Sequence, residues 1–339
     1  MISIVIPCFN EEAVLSQLAS RLVAAADQWN EPWEAICVDD GSRDSTWTRL
    51  EEIARSDSRW KLVRFARNFG HQKAVSAGLA HAKGDAVFVI DADLQDPPEE
   101  LYRFIDKWRE GYEVVYAVRR KRKEVWYKRM CYYLFYRGLS LLSQTTIPLD
   151  SGDFCIMDQK VVSVLREMPE QNRFIRGMRA WAGFRQIGIE YERHARAAGV
   201  PQYTFKKLLQ LASDGVLSFS TIPLRLATYL GLAVSSIAFF GAAFTLLQRW
   251  MGDWFASIGL APAPGFATIV ISVLFLGGVQ LVCVGIIGEY IGRIYEEVKG
   301  RPLWIESDTV GIYPAAMGKE GPNHLRPLSV NSDSIRKAS

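Results

Sequence analysis

The sequence is poor in the residues that build metal and redox centres. Its 339 residues include four histidines and five cysteines, and neither type recurs at ligand spacing. His71 and His81 read as surface or capping residues, since neither lies near a second histidine at metal spacing, and His194 is assigned no role. Cys8, Cys37, Cys131, Cys155 and Cys283 form no CxxC pair. That pattern argues against a zinc site and fits reduced thiols. The glycine-rich phosphate loops GxGxxG and GxxxxGKS/T are also missing, which weighs against a Rossmann dehydrogenase or a P-loop enzyme. No internal repeat is visible. Met1 leads straight into the strand-like "ISIVIP" rather than into a charged leader, so the N-terminal part is expected to stay in the cytoplasm.

Long uncharged runs are present. Residues 226–247 and 266–287 are each long enough to cross a hydrocarbon core that needs about 20 helical residues. Two buried core helices are the weaker alternative. Lys206, Lys207 and Arg225 precede the first run, and Arg293, Lys299 and Arg301 follow the second, while the connection 248–265 carries only Arg249 as a base. The positive-inside rule then predicts a multi-pass protein of the plasma membrane with both termini cytoplasmic. The net charge of +3 says little as a total. Its distribution says more: the basic, aromatic run 119–137 suits anionic headgroups and an acceptor phosphate. A solvated helix face is the plainer reading, and nucleic acid is not expected of a near-neutral, membrane-tethered chain.

The first part of the chain alternates β-rich runs with amphipathic patterns. "ISIVIP", "EAICVDDGS", "WKLVRF" and "AVFVIDAD" are separated by helical stretches at 12–30, 45–56 and 72–82. This order predicts an α/β fold with a mostly parallel sheet, whose ligands sit at the carboxyl ends of the strands. Three polar clusters fall there: "PCFNEE", "DDGS" and "DADLQD".

Asp91 and Asp93, with Gln95 two residues on, can surround one hard, partly hydrated cation. Oxygen-only ligation suits Mg2+ or Mn2+ and, with it, a phosphorylated ligand. Capping acids are the plain alternative. Asp39 and Asp40 can accept from a base N–H or a ribose hydroxyl, although D-G-S is also an ordinary turn signal.

"SIVIPCFNEE", "VDDGSRDST", "ARNFGHQKAVSAGLAHAKGDAVFVIDADLQDPPE" and "SGDFCIMD" together resemble glycosyltransferase family 2, with its GT-A fold. The likeness is strongest to the polyprenyl-phosphate glycosyltransferases, which include dolichyl-phosphate mannose synthase and bacterial glucosyltransferases of O-antigen modification. The resemblance covers about residues 2–203. It implies a GT-A domain over 1–202, a juxtamembrane amphipathic segment at 203–224, two spans within 225–293 and a cytoplasmic tail at 294–339. Much of the chain beyond Glu306 is expected to be loose.

The resemblance further implies that Pro7, Phe9, Glu11 and Asp40 contact the nucleotide. Asp91 and Ala92 would lie beside ribose and diphosphate, and Asp93 and Gln95 on the metal. Arg119 would also serve the donor, while Arg129 and Arg196 would handle phosphate charge. Asp153 would stand nearest the reaction centre, positioning the sugar or the nucleophile. "RAAGVPQY" has Gln202 where the family usually has lysine, so Lys206 or Lys207 would take that place. Asp96 only opens the turn into Pro97.

The activity implied is inverting transfer of a sugar to undecaprenyl phosphate, with UDP-glucose favoured over GDP-mannose or a UDP-aminosugar. A processive polysaccharide synthase is disfavoured, because "RGMRAW" does not match QxxRW. A scaffold or lipid-flipping partner with a dead transferase domain is the reading from another class. Assembly with further copies of the chain is left open.

Overall fold

The computed structural model describes residues 1–119, 151–191, 222–257, 259 and 265–312. Arg129, Arg196, Gln202, Lys206 and Lys207, the basic run beyond Arg119 and the segment 203–221 lie outside the described residues. Packing divides the chain into two units, Met1–Leu211 with Gly300–Ser339, and Ala212–Lys299.

The first unit is built on one eight-stranded sheet. Its strands are β1 (Ile2–Cys8), β2 (Trp33–Asp39), β3 (Trp60–Phe65), β4 (Ala86–Val89), β5 (Val114–Arg119), β6 (Ser151–Asp158), β7 (Gln186–Tyr191) and β8 (Glu306–Val310). Their spatial order is β7-β5-β6-β4-β1-β2-β3-β8. Strands β4, β1, β2 and β3 form the parallel centre expected from the sequence. Strand β6 then runs antiparallel to both β4 and β5, and β8 antiparallel to β3, so the sheet is mixed.

Helices cover both faces because the central strands are apolar on both. Every residue of β1 is buried, as expected of a parallel strand covered on two sides. Ile2, Ile4 and Ile6 face a core shared with α1 (Leu15–Ala26), α2 (Thr46–Ser56) and α4 (Leu101–Arg109). Val5 faces the opposite core, shared with α3 (His71–His81), α5 (Gln159–Glu167) and α6 (Ile175–Trp181). Helix α3 lies so close to β1 that a Cβ on Gly78 would stand 2.1 Å from Val5 Cγ1. That approach fixes where the N-terminus of α3 emerges.

Strand β1 is followed in sequence by β2 and β3 on one side, and β4 returns to the other. The switch point is therefore the crevice between the ends of β1 and β4, where ligands of such sheets bind. Pro7 is tolerated in this central strand because the pairing of β1 with β4 stops at Val5↔Val89.

The stretch expected to be loose begins instead with an edge strand. Trp304 is buried and stacks on Phe65, 6.1 Å between centroids, and Ala66 donates its N–H to the Ile305 carbonyl. Pairing of an exposed edge with a remote segment carries no local sequence signal, so the composition of the tail misleads there.

The second unit holds α7 (Ile222–Trp250), α8 (Gly252–Ser257) and α9 (Phe266–Val298). Both apolar runs are helical, and α9 continues past 287. Among the described residues one helix, Phe275–Val298, is long and apolar enough to cross a membrane. Ile237, Phe239, Phe240, Leu281 and Val284 are exposed.

Candidate active site

The strand ends bring the three sequence clusters together through backbone chemistry. The loop after β1 is stitched to the loop after β2: Asn10 N–H donates to Ser42 Oγ at 2.9 Å, Glu11 N–H to Thr46 Oγ1 at 2.8 Å, and Arg43 N–H to Asn10 Oδ1 at 2.9 Å. Asn10 adopts the left-handed region that asparagine tolerates. This stitching leaves the Phe9 side chain exposed beside the crevice.

Asp39 and Asp40 are both buried but differently engaged. Asp40 Oδ1 accepts from Phe69 N–H at 2.6 Å and Oδ2 from Gly70 N–H at 2.9 Å. Burial pushes its carboxyl pKa up against those two bonds. Asp39 Oδ1 accepts from Ser42 N–H at 3.0 Å. Its Oδ2 is buried with no hydrogen bond, with Arg64 Nε 3.4 Å away. A buried carboxylate oxygen that makes no hydrogen bond is costly and marks a place for a donor, even with a guanidinium nearby.

After β4 the chain turns sharply. Leu94 sits at φ 57°, a conformation that costs a bulky residue and clusters at functional sites. Asp93 Oδ1 accepts from Gln95 N–H at 3.1 Å. Asp91 Oδ1 is buried without a hydrogen bond. Burial, followed by the charges of Asp153, Asp96 and Asp93 against that of His71, pushes the Asp91 pKa up to about 6. Asp96, expected only to open the turn, has a buried carboxylate that accepts from the Tyr191 hydroxyl and ties the end of β7 to this loop.

Among the described residues no group of three or more His, Cys, Asp or Glu could hold a metal ion. Asp91, Asp93 and Gln95 offer two carboxylates and an amide. That set fits an ion that takes one or two protein carboxylates and completes its shell from phosphate and water, and Asp91 Oδ1, which makes no hydrogen bond, can face it.

Asp153 reaches the same place from the opposite direction. The antiparallel register ends at Val89↔Cys155, so continuing it by two residues sets Asp153 level with Asp91. Asp153 Oδ1 accepts from Arg176 Nε at 2.7 Å, and Oδ2 from Arg176 Nη2 at 2.9 Å and Gln72 Nε2 at 3.2 Å. His71 Nε2 lies 3.4 Å from Asp153 Oδ2 and 3.7 Å from Asp91 Oδ1. Burial alone would raise the Asp153 pKa, but Arg176 and His71 outweigh it and hold the carboxyl well below the usual carboxylate range. Burial likewise opposes the charged form of His71, while Asp153 and Asp91 raise its pKa above the ordinary value.

Of the other expected residues, Pro7 and Ala92 are buried beside these clusters, and Arg119 closes β5. His71, Gln72 and Arg176 are the residues that sequence reasoning passed over. Arginines at 173, 176 and 179 in a short, otherwise apolar stretch were the available signal, since buried bases need partners.

The model for "Glycosyl transferase family 2" matches residues 3–166, and that for "GtrB C-terminal hairpin" matches 222–294. An uncharacterized glycosyltransferase of Synechocystis sp. is 44% identical over 92% of this chain and 96% of its own length. A prophage-derived bactoprenol glucosyl transferase of Shigella flexneri is 40% identical over 90% and 96%, and a prophage homolog in Escherichia coli 39% over 90% and 97%. A solved glucosyl-3-phosphoglycerate synthase of Mycobacterium tuberculosis aligns at 20% identity over 64% of this chain and 78% of its own, with a TM-score of 0.42. Strand-end acids at a sheet switch point, a helical hairpin and relatives spanning nine-tenths of the length agree, and the chain belongs to glycosyltransferase family 2.

Proposed function

We propose that the protein transfers glucose from UDP-glucose to undecaprenyl phosphate at the cytoplasmic face of the membrane, with inversion at the anomeric carbon. The observation that supports this reading is the placement of Asp39, Asp91 and Asp153 at strand ends beside the switch point, with Asp91 and Asp153 sharing His71 and with Asp39 and Asp91 each keeping a buried oxygen that makes no hydrogen bond. The relatives named bactoprenol glucosyl transferase support the sugar and the acceptor.

In this reading the exposed Phe9 ring stacks on the base, and Asp39 Oδ2 accepts its imino N–H. Asp40 serves the nucleotide end by holding the Phe69–Gly70 backbone, with Pro7 and Glu11 framing the pocket. Asp91 and Ala92 border ribose and diphosphate. Asp93 and Gln95, with Asp91, hold a divalent ion, Mg2+ or Mn2+. When bound, such an ion neutralises charge on the departing diphosphate. Arg119 binds on the donor side, and Arg129, Arg196 and Lys206 or Lys207 take the acceptor phosphate. A phosphate monoester, with a second pKa about 6, is largely ionised at neutral pH and needs little activation as a nucleophile. Positioning then supplies much of the rate.

Helices α7 and α9 act as a two-span hairpin with both ends cytoplasmic, keeping the crevice near a lipid that cannot leave the bilayer.

The full chain in detergent should label polyprenyl phosphate from UDP-glucose in preference to GDP-mannose and UDP-N-acetylglucosamine, and EDTA should abolish transfer. Transfer that persists in EDTA removes the metal, and a preference for another donor removes glucose from the proposal.

A further inference from the structure

Asp153 is enclosed by donors from two helices that also share the core around Val5. Helix α6 supplies the Arg176 fork, Nε on Oδ1 and Nη2 on Oδ2. Helix α3 supplies Gln72 Nε2 on Oδ2, with His71 Nε2 3.4 Å from the same oxygen. The Gln72 amide does two things at once, because its Oε1 also accepts from Ile175 N–H at 2.9 Å. Ile175 opens α6, so this bond ties down the helix that carries Arg176 and fixes which end of the amide faces the carboxylate. A carboxylate has about four lone-pair positions. Both on Oδ2 are filled and one on Oδ1 is filled, which leaves little room for an incoming proton.

We propose that Arg176 and Gln72 are positioning residues of the transfer reaction, holding Asp153 as a fixed anion beside the anomeric carbon rather than as a proton acceptor. This rests on the glycosyl transfer proposed above. In the step itself, the bond from the anomeric carbon to the diphosphate oxygen breaks, and its electron pair leaves with the nucleoside diphosphate. A lone pair of the acceptor phosphate oxygen forms the new bond. No proton has to leave an acceptor that is already ionised, so a base is not needed, whereas positive charge growing at the anomeric carbon is stabilised by a fixed anion. A general base works best with a pKa near the operating pH and open lone pairs. The Asp153 carboxyl is held well below that range, and three of its roughly four acceptor positions are taken.

The test uses the full-length protein in detergent with UDP-glucose, Mn2+ and polyprenyl phosphate. Arg176→Gln should lower kcat on the order of 100-fold while KM for UDP-glucose changes less than about 3-fold, the mark of an interaction used in the transition state. Arg176→Lys keeps the charge but loses the fork, and should lie between. The double variant Arg176→Gln with Asp153→Asn should be no slower than the slower single variant, because the two act as a unit. The acid limb of the kcat profile should move to higher pH in Arg176→Gln, because the charge that does most to hold the Asp153 carboxyl down is then gone and, among the described residues, His71 and Gln72 remain as its donors.

Multiplying effects in the double variant, or an unmoved acid limb with KM raised, would overturn the proposal. If thermal melts show Arg176→Gln unfolded, Arg176→Lys carries the same measurements. A wild-type enzyme that labels polyprenyl phosphate from no nucleotide sugar sinks the transfer reading, whereas a fast wild type with an equally fast Arg176→Gln sinks only this inference.

Discussion

The Glu306 carboxylate lies 2.8 Å from His81 Nε2, bridging a separation of 225 residues, and accepts from Trp304 Nε1 at the same distance. It ties strand β8 to the end of helix α3, whose other end carries His71 and Gln72. The chain that leaves the catalytic unit for the hairpin thus returns to it.

That tie has a pH dependence. Burial would raise the Glu306 pKa, but His81 and the Trp304 indole outweigh it, so the folded value lies below the usual 4.5. A group depressed on folding stabilises above its unfolded pKa and loses that contribution as pH falls through the folded value. Glu306→Gln should therefore cost about 1–2 kcal/mol at neutral pH, with the gap to wild type closing below about pH 4.5. Denaturant melts from pH 3.5 to 7.5 measure this, and a gap constant across the range would contradict it.

Asp39 is the acid at the nucleotide end whose buried Oδ2 makes no hydrogen bond and has Arg64 Nε, 3.4 Å away, beside it. Replacing it with Asn should raise KM for UDP-glucose about 10- to 100-fold, the worth of a charge-assisted hydrogen bond, with a smaller effect on kcat. Initial-rate kinetics against donor concentration decide this, and an unchanged KM would reassign the base contact.

Gly41 holds φ at +67°, and a Cβ there would stand 2.6 Å from the Arg67 backbone carbonyl carbon. Gly41→Ala should destabilise the catalytic unit by about 2 kcal/mol or more, since neither the conformation nor the backbone neighbour accommodates a methyl. A thermal shift within error of wild type would be the contrary result.

Glu34 is buried, with Ser3 Oγ donating to Oε1 at 2.5 Å, Lys83 N–H to the same oxygen at 3.1 Å and Lys61 Nζ on Oε2. Lys61→Met leaves an uncompensated buried charge and should cost about 3 kcal/mol, while adding Glu34→Gln should recover part of that loss. Urea melts of the two single variants and the double variant report the coupling, and strict additivity would argue against it.

The strands, their order of appearance and the acidic strand ends were legible because each rests on local chemistry. Continuous apolar runs bury both faces of a strand, and "DADLQDPP" cannot extend a ladder. Asp153 was reached through resemblance, and its partners were not reached at all. Gln72 is 81 residues from Asp153 and Arg176 is 23, and both become neighbours only because β6 runs antiparallel to β4. His71 read as a surface residue and keeps part of its side chain exposed, yet it stands between two carboxylates.

By itself, then, the sequence determined which residues could form strands, where those strands end in acid, and which two runs are apolar enough to form a hairpin. Those properties depend on side chains a few positions apart. The tertiary structure decided which acids are hydrogen-bonded at both oxygens and which are not: Asp40 closed on Phe69 and Gly70, Asp153 clamped by Arg176, Asp39 and Asp91 each with one buried oxygen that makes no hydrogen bond. It also decided that Glu306–Val310 completes the sheet. Both outcomes depend on register between remote strands, which sets the distance between charges.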